Sequence, residues 1–354
     1  LIERYGSLGG LFTNGMVLII IGTGVKENGE FKLVTRGVCE EFMRRLEAMG
    51  DGAITKLEPN IGQPTADPEA AKVLMDDMVQ EAKVDVFFHA WGVDVIQSGQ
   101  SVQGVVFESK QGRQAVLAKV VVDASGDGDV FFQAGESYTQ ISHALGFVHR
   151  LGNTDRIDKS KAPENTRLNI GGREPLKSVR WVNSLGNRGN GLDIRDMTQA
   201  EMMHRKSAWN YTQRIRKTPG YEEVYLAQTT SQLGVRATRL LNGVVRIDKK
   251  GAVERTTYPD TVAVSGHDGL RLPEFQIPYG SLLPKSVDNV IVAGRCISCA
   301  PDLIDRVRLI PVCVVTGQAA GVAAALAAKG GVRPRDLPAA DIQKVLREQG
   351  AYLG

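Results

Sequence analysis

At 354 residues, with 42% apolar and 23% charged side chains, the chain is long enough for two domains with sizeable cores and has an ordinary soluble composition. A net charge of +3, with basic residues scattered and never five in a row, argues against a nucleic-acid binder working by bulk electrostatics. Four cysteines (Cys39, Cys296, Cys299 and Cys313) are too few and too clustered for a secreted disulfide framework, so a cytoplasmic setting is expected.

In chain order, Leu1-Ile2-Glu3 reads as the end of a strand, and Ser7-Leu8-Gly9-Gly10 as a tight turn whose glycines permit close backbone approach to a ligand. Arg36 to Met49 has helical periodicity, with Val38, Phe42, Leu46 and Met49 on one face. Asp67-Pro68 supplies N-cap and first-turn chemistry for a helix to Ala82 that is expected to bury Val73, Leu74, Met78 and Val79. Strands follow at Val84–His89 and Trp91–Gln97, then at Val102–Ser109 and Ala115–Val122, the last two joined by a turn at Lys110–Arg113.

The loop Asp123-Ala124-Ser125-Gly126-Asp127 returns the chain to its first domain. Residues Ser137 to about Gln276 are more polar and less periodic, and read as an inserted second domain. From Ile277 the chain rejoins the first domain, with a strand at Val290–Ala293 ending on Gly294. An Ala- and Gly-rich helix opens at Pro311, where a proline's missing N–H costs nothing. Leu309 to Ala328 is twenty uncharged residues, the length of a membrane span. Thr316 and Gln318 inside it, and Arg308 and Lys329 at its two ends, favour a buried core helix instead. A last helix is expected at Ala339–Glu348.

Six segments occur in a meaningful order: Leu1–Gly10, Val121–Asp129, Gly234–Arg239, Ile277–Pro284, Val292–Ser298 and Pro311–Gly321. Together they make the chain resemble, nearly end to end, the bacterial FAD-dependent oxidoreductases related to fumarate reductase and succinate dehydrogenase flavoproteins. The resemblance implies an α/β protein with a glutathione-reductase-type, Rossmann-like FAD-binding domain and an inserted α+β substrate domain. Its boundaries would be 1–136 and 277–354 for the FAD part and 137–276 for the substrate part. Noncovalent FAD is the implied cofactor, gripped by Glu3 and Arg4, Gly9 and Gly10, and the loop Ala124, Ser125, Gly126 and Asp127. Gly294, Arg295 and Cys296 would add to this, with Pro311, Val312 and Cys313 at the start of the helix that faces the flavin. Glu3 would accept hydrogen bonds from a ribose, and Arg295 would neutralise the pyrophosphate. Such domains begin with a strand and a G-x-G-x-x-G turn. Gly126-Asp-Gly128 and Gly22-Thr-Gly24 fail as that turn, having Phe131 and Glu27 at the third glycine position. The phosphate loop is therefore expected to be missing from this sequence.

On the reaction side, Arg308, Tyr279 and Arg236 are the candidate catalytic residues, and Arg239 and Arg306 are further candidates for gripping an anion by a bidentate fork. Cys296-Ile297-Ser298-Cys299 invites a redox dithiol, but packing or flavin contact is the preferred reading, and zinc lacks a second ligand pair. His143, His149, His204 and His267 have no metal-ligand spacing and read as structural. The expected activity is hydride transfer between the flavin and a small, anionic organic substrate, with no metal, nucleic-acid or membrane partner; a homo-oligomer is compatible with the sequence. The rival is a non-catalytic or cofactor-free remnant that keeps the fold.

Overall fold

The computed structural model describes residues 1–267 and 272–354. A hairpin of β1 (Gly24–Glu27) and β2 (Glu30–Leu33) is followed by helices α1 (Val38–Ala48), α2 (Leu57–Asn60) and α3 (Pro68–Glu81). An antiparallel sheet of β3 (Trp91–Ser98), β4 (Ser101–Ser109) and β5 (Gly112–Leu117) comes next. Then β6 (Val121–Asp123) leads through a tight loop into the short helix α4 (Asp129–Gln133). The next stretch holds β7 (Tyr138–Gln140), β8 (His143–Gly152), β9 (Gly172–Arg173), β10 (Val179–Gly189) and the long helix α5 (Ile194–Arg216). After β11 (Tyr225–Thr229), β12 (Gly234–Val235) and β13 (Arg239–Leu241) come α6 (Lys249–Val253), β14 (Thr261–His267) and β15 (Leu272–Pro278). The chain ends with β16 (Val290–Val292), α7 (Ile304–Val307), α8 (Ile310–Gly330) and α9 (Ala339–Glu348).

The architecture is mixed α/β. β6 and β16 pair in parallel, Val121 opposite Val290 and Asp123 opposite Val292, and Ile2 bridges Phe87 in parallel. The largest core gathers residues from both ends of the chain, including Met43, Leu74, Phe131, Ile291 and Ala319. Two further clusters belong to the middle of the chain, built from Leu145, Phe147, Ala200 and Val235, and from Leu151, Val182, Ile215 and Val224. They lie under an antiparallel sheet ordered β11-β8-β10-β9, with β12 also on β8 and α5 packed across it. Residues 237–263 and 275–277 return to the largest core.

The helix starts behave as expected: Asp67 caps α3, its carboxylate accepting the amides of Glu69 and Ala70. The buried faces differ. α1 buries Cys39, Met43 and Leu46, while Met49 is 44% exposed; α3 buries Pro68, Ala71 and Leu74, while Val73 is 52% exposed. When apolar residues flank both sides of a helix, the neighbours choose between faces one residue apart, and here α1 packs against α8 and α3. The expected strand Val84–His89 reduces to the single Phe87 bridge. The strand expected at Ala115–Val122 is two strands, β5 and β6, belonging to different sheets.

Among the described residues, α8 is the one helix long and apolar enough to cross a membrane. Its polar side chains are engaged inside the protein. Thr316 donates to Val312 O and accepts the Gly294 amide, and Gln318 accepts from Val38 and donates to Gln349.

Two polar clasps join distant parts. Arg150 on β8 pairs with buried Glu174 and, at 3.1 Å, with the α3 cap Asp67. Glu136 accepts from the amide and hydroxyl of Ser137 and Ser286 and from the Val287 amide. Burial works against ionising Glu136, but the donors from Ser286, Val287 and Ser137 outweigh it and hold its carboxyl below the ordinary value of 4.5. With the folded value depressed, the stabilisation is fully present above about pH 4.5 and lost as pH falls through the folded value. Glu136→Gln is expected to cost roughly 1–3 kcal/mol at pH 7. Urea unfolding of both proteins from pH 7 to 3 should show the wild-type advantage shrinking in acid; a constant difference would refute the assignment.

Candidate active site

Strands β6 and β16 run in the same direction, so their C-terminal loops emerge side by side, the place where parallel α/β sheets put ligands. Ala293 N–H donates to Asp123 O at 3.0 Å and fastens the two loops. Asp123 is buried and organises the first loop. One carboxyl oxygen accepts the amide and hydroxyl of Ser125, the other the amides of Val130 and Phe131 at the start of α4. Ser125 Oγ also accepts the Asp129 amide, so this hydroxyl is fully used in shaping the loop, whose tip at Ala124 and Ser125 is exposed.

Asp127 turns inward and meets Arg295 from the second loop, Nη1 to Oδ1 2.8 Å, with both residues at least nine-tenths buried. Thr238 donates to the same oxygen at 2.7 Å, and Arg239 reaches Asp127 O and Asp129 at 3.0 Å each. Burial raises the Asp127 carboxyl, but the Arg295 guanidinium more than reverses this and leaves it below the ordinary range. Gly126 is left-handed (φ 78°), and a Cβ there would stand 2.7 Å from Arg295 Nε, so the loop closes over the guanidinium only with glycine.

The first segment joins the same place. Glu3 is half-buried, its Oε1 accepting the Tyr5 amide at 2.8 Å. Arg4 lies over the rings of Tyr5 and Trp91 and contributes to the low Asp127 pKa, which brings this segment up to the Asp127 loop. Gly9 is packed, since a Cβ would meet Thr13 Oγ1 at 2.6 Å, whereas Gly10 faces open space.

The second loop continues through a 3₁₀ turn, Gly294–Cys296, into the helices. Pro311 and Val312 are buried in the core; Cys313 is largely buried, with both Arg295 and Arg308 acting on its thiol. All four cysteines are free, and burial pushes their thiols up: Cys39 and Cys299 to about 12, Cys313 to about 11, Cys296 well above the usual value. A redox dithiol needs a thiolate at working pH, so Cys296 and Cys299 behave as packed core residues.

Beyond Cys313 lies a charged cluster. Arg308 donates through Nε and Nη2 to Asp305 Oδ1 at 3.0 and 2.7 Å, and His143 Nε2 is 3.4 Å from that oxygen. Arg236, half-buried against the Gly146 backbone, feels both Arg308 and Asp305 yet makes no hydrogen bond or ion pair among the described residues. Of the arginines read from sequence, Arg236 and Arg308 come together here, and Arg239 is committed to Asp127, Asp129 and the Phe132 ring, 4.0 Å away. Tyr279 is set apart: it is buried, and its hydroxyl donates to Pro334 O at 3.0 Å. Asp305 and His143 were not legible as partners, because their contact spans more than 160 positions that only the fold closes (305 against 143).

These surroundings fit the implied FAD. The Ala124–Ser125 tip is open, and a Cβ on left-handed Gly294 would meet nothing nearer than Cys313 Sγ at 3.7 Å, so a planar group can approach the backbone. Arg295 Nη1, although beside Asp127, makes no directed hydrogen bond and keeps a donor for an anionic group.

Two outcomes follow from this geometry. Arg295→Met strands a buried carboxylate and is expected to cost about 3–5 kcal/mol, against about 1 kcal/mol for Thr238→Val, read as shifts in the urea midpoint. Native protein at pH 7.5 should resist maleimide at all four thiols and take up four equivalents after unfolding; rapid native labelling of Cys299 would revive the dithiol.

The profile of the family described as FAD dependent oxidoreductase matches residues 1–141 and 141–346. Comparison with curated proteins finds no match. Solved structures similar to the chain include the Diels-Alderase PyrE3 of pyrroindomycin biosynthesis, at 12% identity over 99% of this chain and 64% of that one, with a TM-score of 0.45. Others are the myxobacterial chondrochloren halogenase CndH (14%, 99% and 72%, 0.42) and p-nitrophenol 4-monooxygenase PnpA from Pseudomonas putida DLL-E4 (12%, 80% and 60%, 0.40). The chain spans about three fifths of that monooxygenase's length, and likenesses at these scores carry no weight for its chemistry. The family match, which takes in nearly every residue, does: the chain belongs to the FAD dependent oxidoreductase family.

Proposed function

We propose that this FAD-dependent oxidoreductase passes a hydride between its flavin and a small organic anion bound at Arg236 and Arg308. The observation that carries the reading is Arg236, a half-buried guanidinium that makes no hydrogen bond or ion pair among the described residues. Removing an arginine from water without a partner is costly, and a bound carboxylate repays it. Beside it, Arg308 is already answered by Asp305, so the pair presents a net positive charge toward one incoming anion.

We infer a glutathione-reductase-type arrangement, with residues 1–136 and 277–354 on the cofactor side and 137–276 forming the inserted substrate part. The separate cores under β8 and α5 support it, although residues 237–263 and Phe275 share the larger core. Glu3 and Arg4, the Ala124–Asp127 loop, Gly294 and Arg295 would hold FAD, which when bound supplies two-electron hydride chemistry at its flavin ring. The chain's own part is to bind, orient and balance charge. Arg236 and Arg308 fix the anion, and Cys313, acted on by both Arg295 and Arg308, marks where substrate and cofactor regions adjoin. The α8 N-terminus, whose first amides have no intrahelical partner, favours negative charge arriving nearby. A cytoplasmic protein acting on a small molecule, and not on nucleic acid or membrane, belongs to the same reading.

The test is direct. Purified protein should show flavin absorbance that acid releases, and succinate should perturb that absorbance on binding. Arg236→Gln is expected to weaken the succinate effect by about 10- to 100-fold with the flavin still bound. A protein that stays colourless with added FAD would sink the enzyme reading, and an unchanged succinate affinity would remove Arg236 from the site.

A further inference from the structure

The charged cluster also contains a titratable ring. His143 Nδ1 accepts the Ala144 amide at 2.7 Å, so in the neutral ring the proton sits on Nε2, directed at Asp305 Oδ1 3.4 Å away. That same oxygen receives both nitrogens of Arg308. The charged groups bearing on His143 are Asp305 on α7, Arg308 just beyond it and Arg236 beyond β12, and on β10 the residue opposite is the uncharged Gly189. With His143 neutral, two arginines and one aspartate leave a net charge of +1; protonating the ring makes it +2.

We propose that this cluster is a proton-coupled anion site: it takes a monocarboxylate with no change in protonation, and a dicarboxylate with the uptake of one proton on His143. A second negative charge brought beside Arg236 and Arg308 is matched only when the ring becomes cationic, and Nε2–H then strengthens its hold on Asp305 while Nδ1 gives up the Ala144 amide for its own proton. Before binding, burial together with Arg308 and Arg236 holds His143 below the ordinary histidine range despite Asp305, so the ring starts out neutral at neutral pH. The step is an acid–base addition alone: the proton comes from solvent, and no bond of the anion breaks. This inference rests on the anion-site reading above and extends it to the charge class the site accepts.

The experiment is calorimetric titration of the flavin-loaded protein at pH 7.5 with succinate and with butyrate, each in triethanolamine and in Tris buffer, neither of which is an anion. Succinate heats should differ between the buffers by the ionisation heat of close to one proton, and butyrate heats should not differ. Succinate affinity should fall about tenfold per pH unit above neutrality. In His143→Gln the buffer dependence should vanish. Asp305→Asn, which raises the cluster to +2 without the ring proton, should bind succinate with no proton uptake, and serves independently if the histidine variant does not fold. Succinate binding that is buffer-independent in the wild type, or proton uptake that persists in His143→Gln, overturns the proton coupling and leaves the anion site standing. Failure of both anions to bind overturns the anion site, and the coupling with it.

Discussion

The buried pair of Asp127 and Arg295 is the constraint around which the site is arranged. The two residues stand in loops that leave neighbouring parallel strands, and neither charge is tolerable alone in the interior. Pairing them forces the loops together, and Thr238 and Arg239 then draw in the segment returning from the middle of the chain. Gly126 follows from this closure, because only a residue without Cβ lets the backbone lie on the guanidinium. So one ion pair ties three stretches, around 125, 238 and 295, into a single rigid wall. A buried ion pair is weak evidence for net stability, but removing either partner leaves a bare charge in the interior.

The second organising device is the division of polar work between clasps and site. Glu136 closes the point where the chain leaves for its middle region against Ser286 and Val287, where it has come back. Arg150 does the same from the far side of β8, reaching the cap of α3. Each is saturated with partners, so these groups stabilise without offering anything to a ligand. Arg236 differs in this from Arg239, Arg295 and Arg308, and the contrast favours it as a binding group over Arg239, whose carbonyl, carboxylate and aromatic partners make it a structural one. The same principle sets Tyr279 aside: a hydroxyl satisfied by Pro334 O in the core has no spare role.

Much of the local structure was legible. Asp67-Pro68 announced α3, Pro311 the start of α8, and Ala339–Glu348 proved to be α9 to the residue. These are short-range effects, in which caps, proline and periodicity act within a turn or two. The long helix α5 escaped notice for an equally physical reason. Its buried face is Ala200, His204, Ala208, Thr212 and Ile215, while Ile194, Met202 and Trp209 are exposed, so its hydrophobic pattern does not mark its core side. The split of the expected Ala115–Val122 strand escaped likewise, because an apolar stretch interrupted only by Lys119 does not say which sheet each half will join.

By itself, then, the sequence determined the family, the mixed α/β class and the places of α3, α8 and α9, since all of these are written in local chemistry and in the order of short motifs. Only the tertiary structure decided which charged groups are spent and which remain. Four arginines look alike along the chain. What separates them is whether an aspartate from another segment arrives within about 3 Å, as Asp127 does for Arg295, Asp129 for Arg239 and Asp305 for Arg308, while none arrives for Arg236. A hydrogen-bonded ion pair needs its two groups within about 3 Å, and distance along the sequence says nothing about distances on that scale.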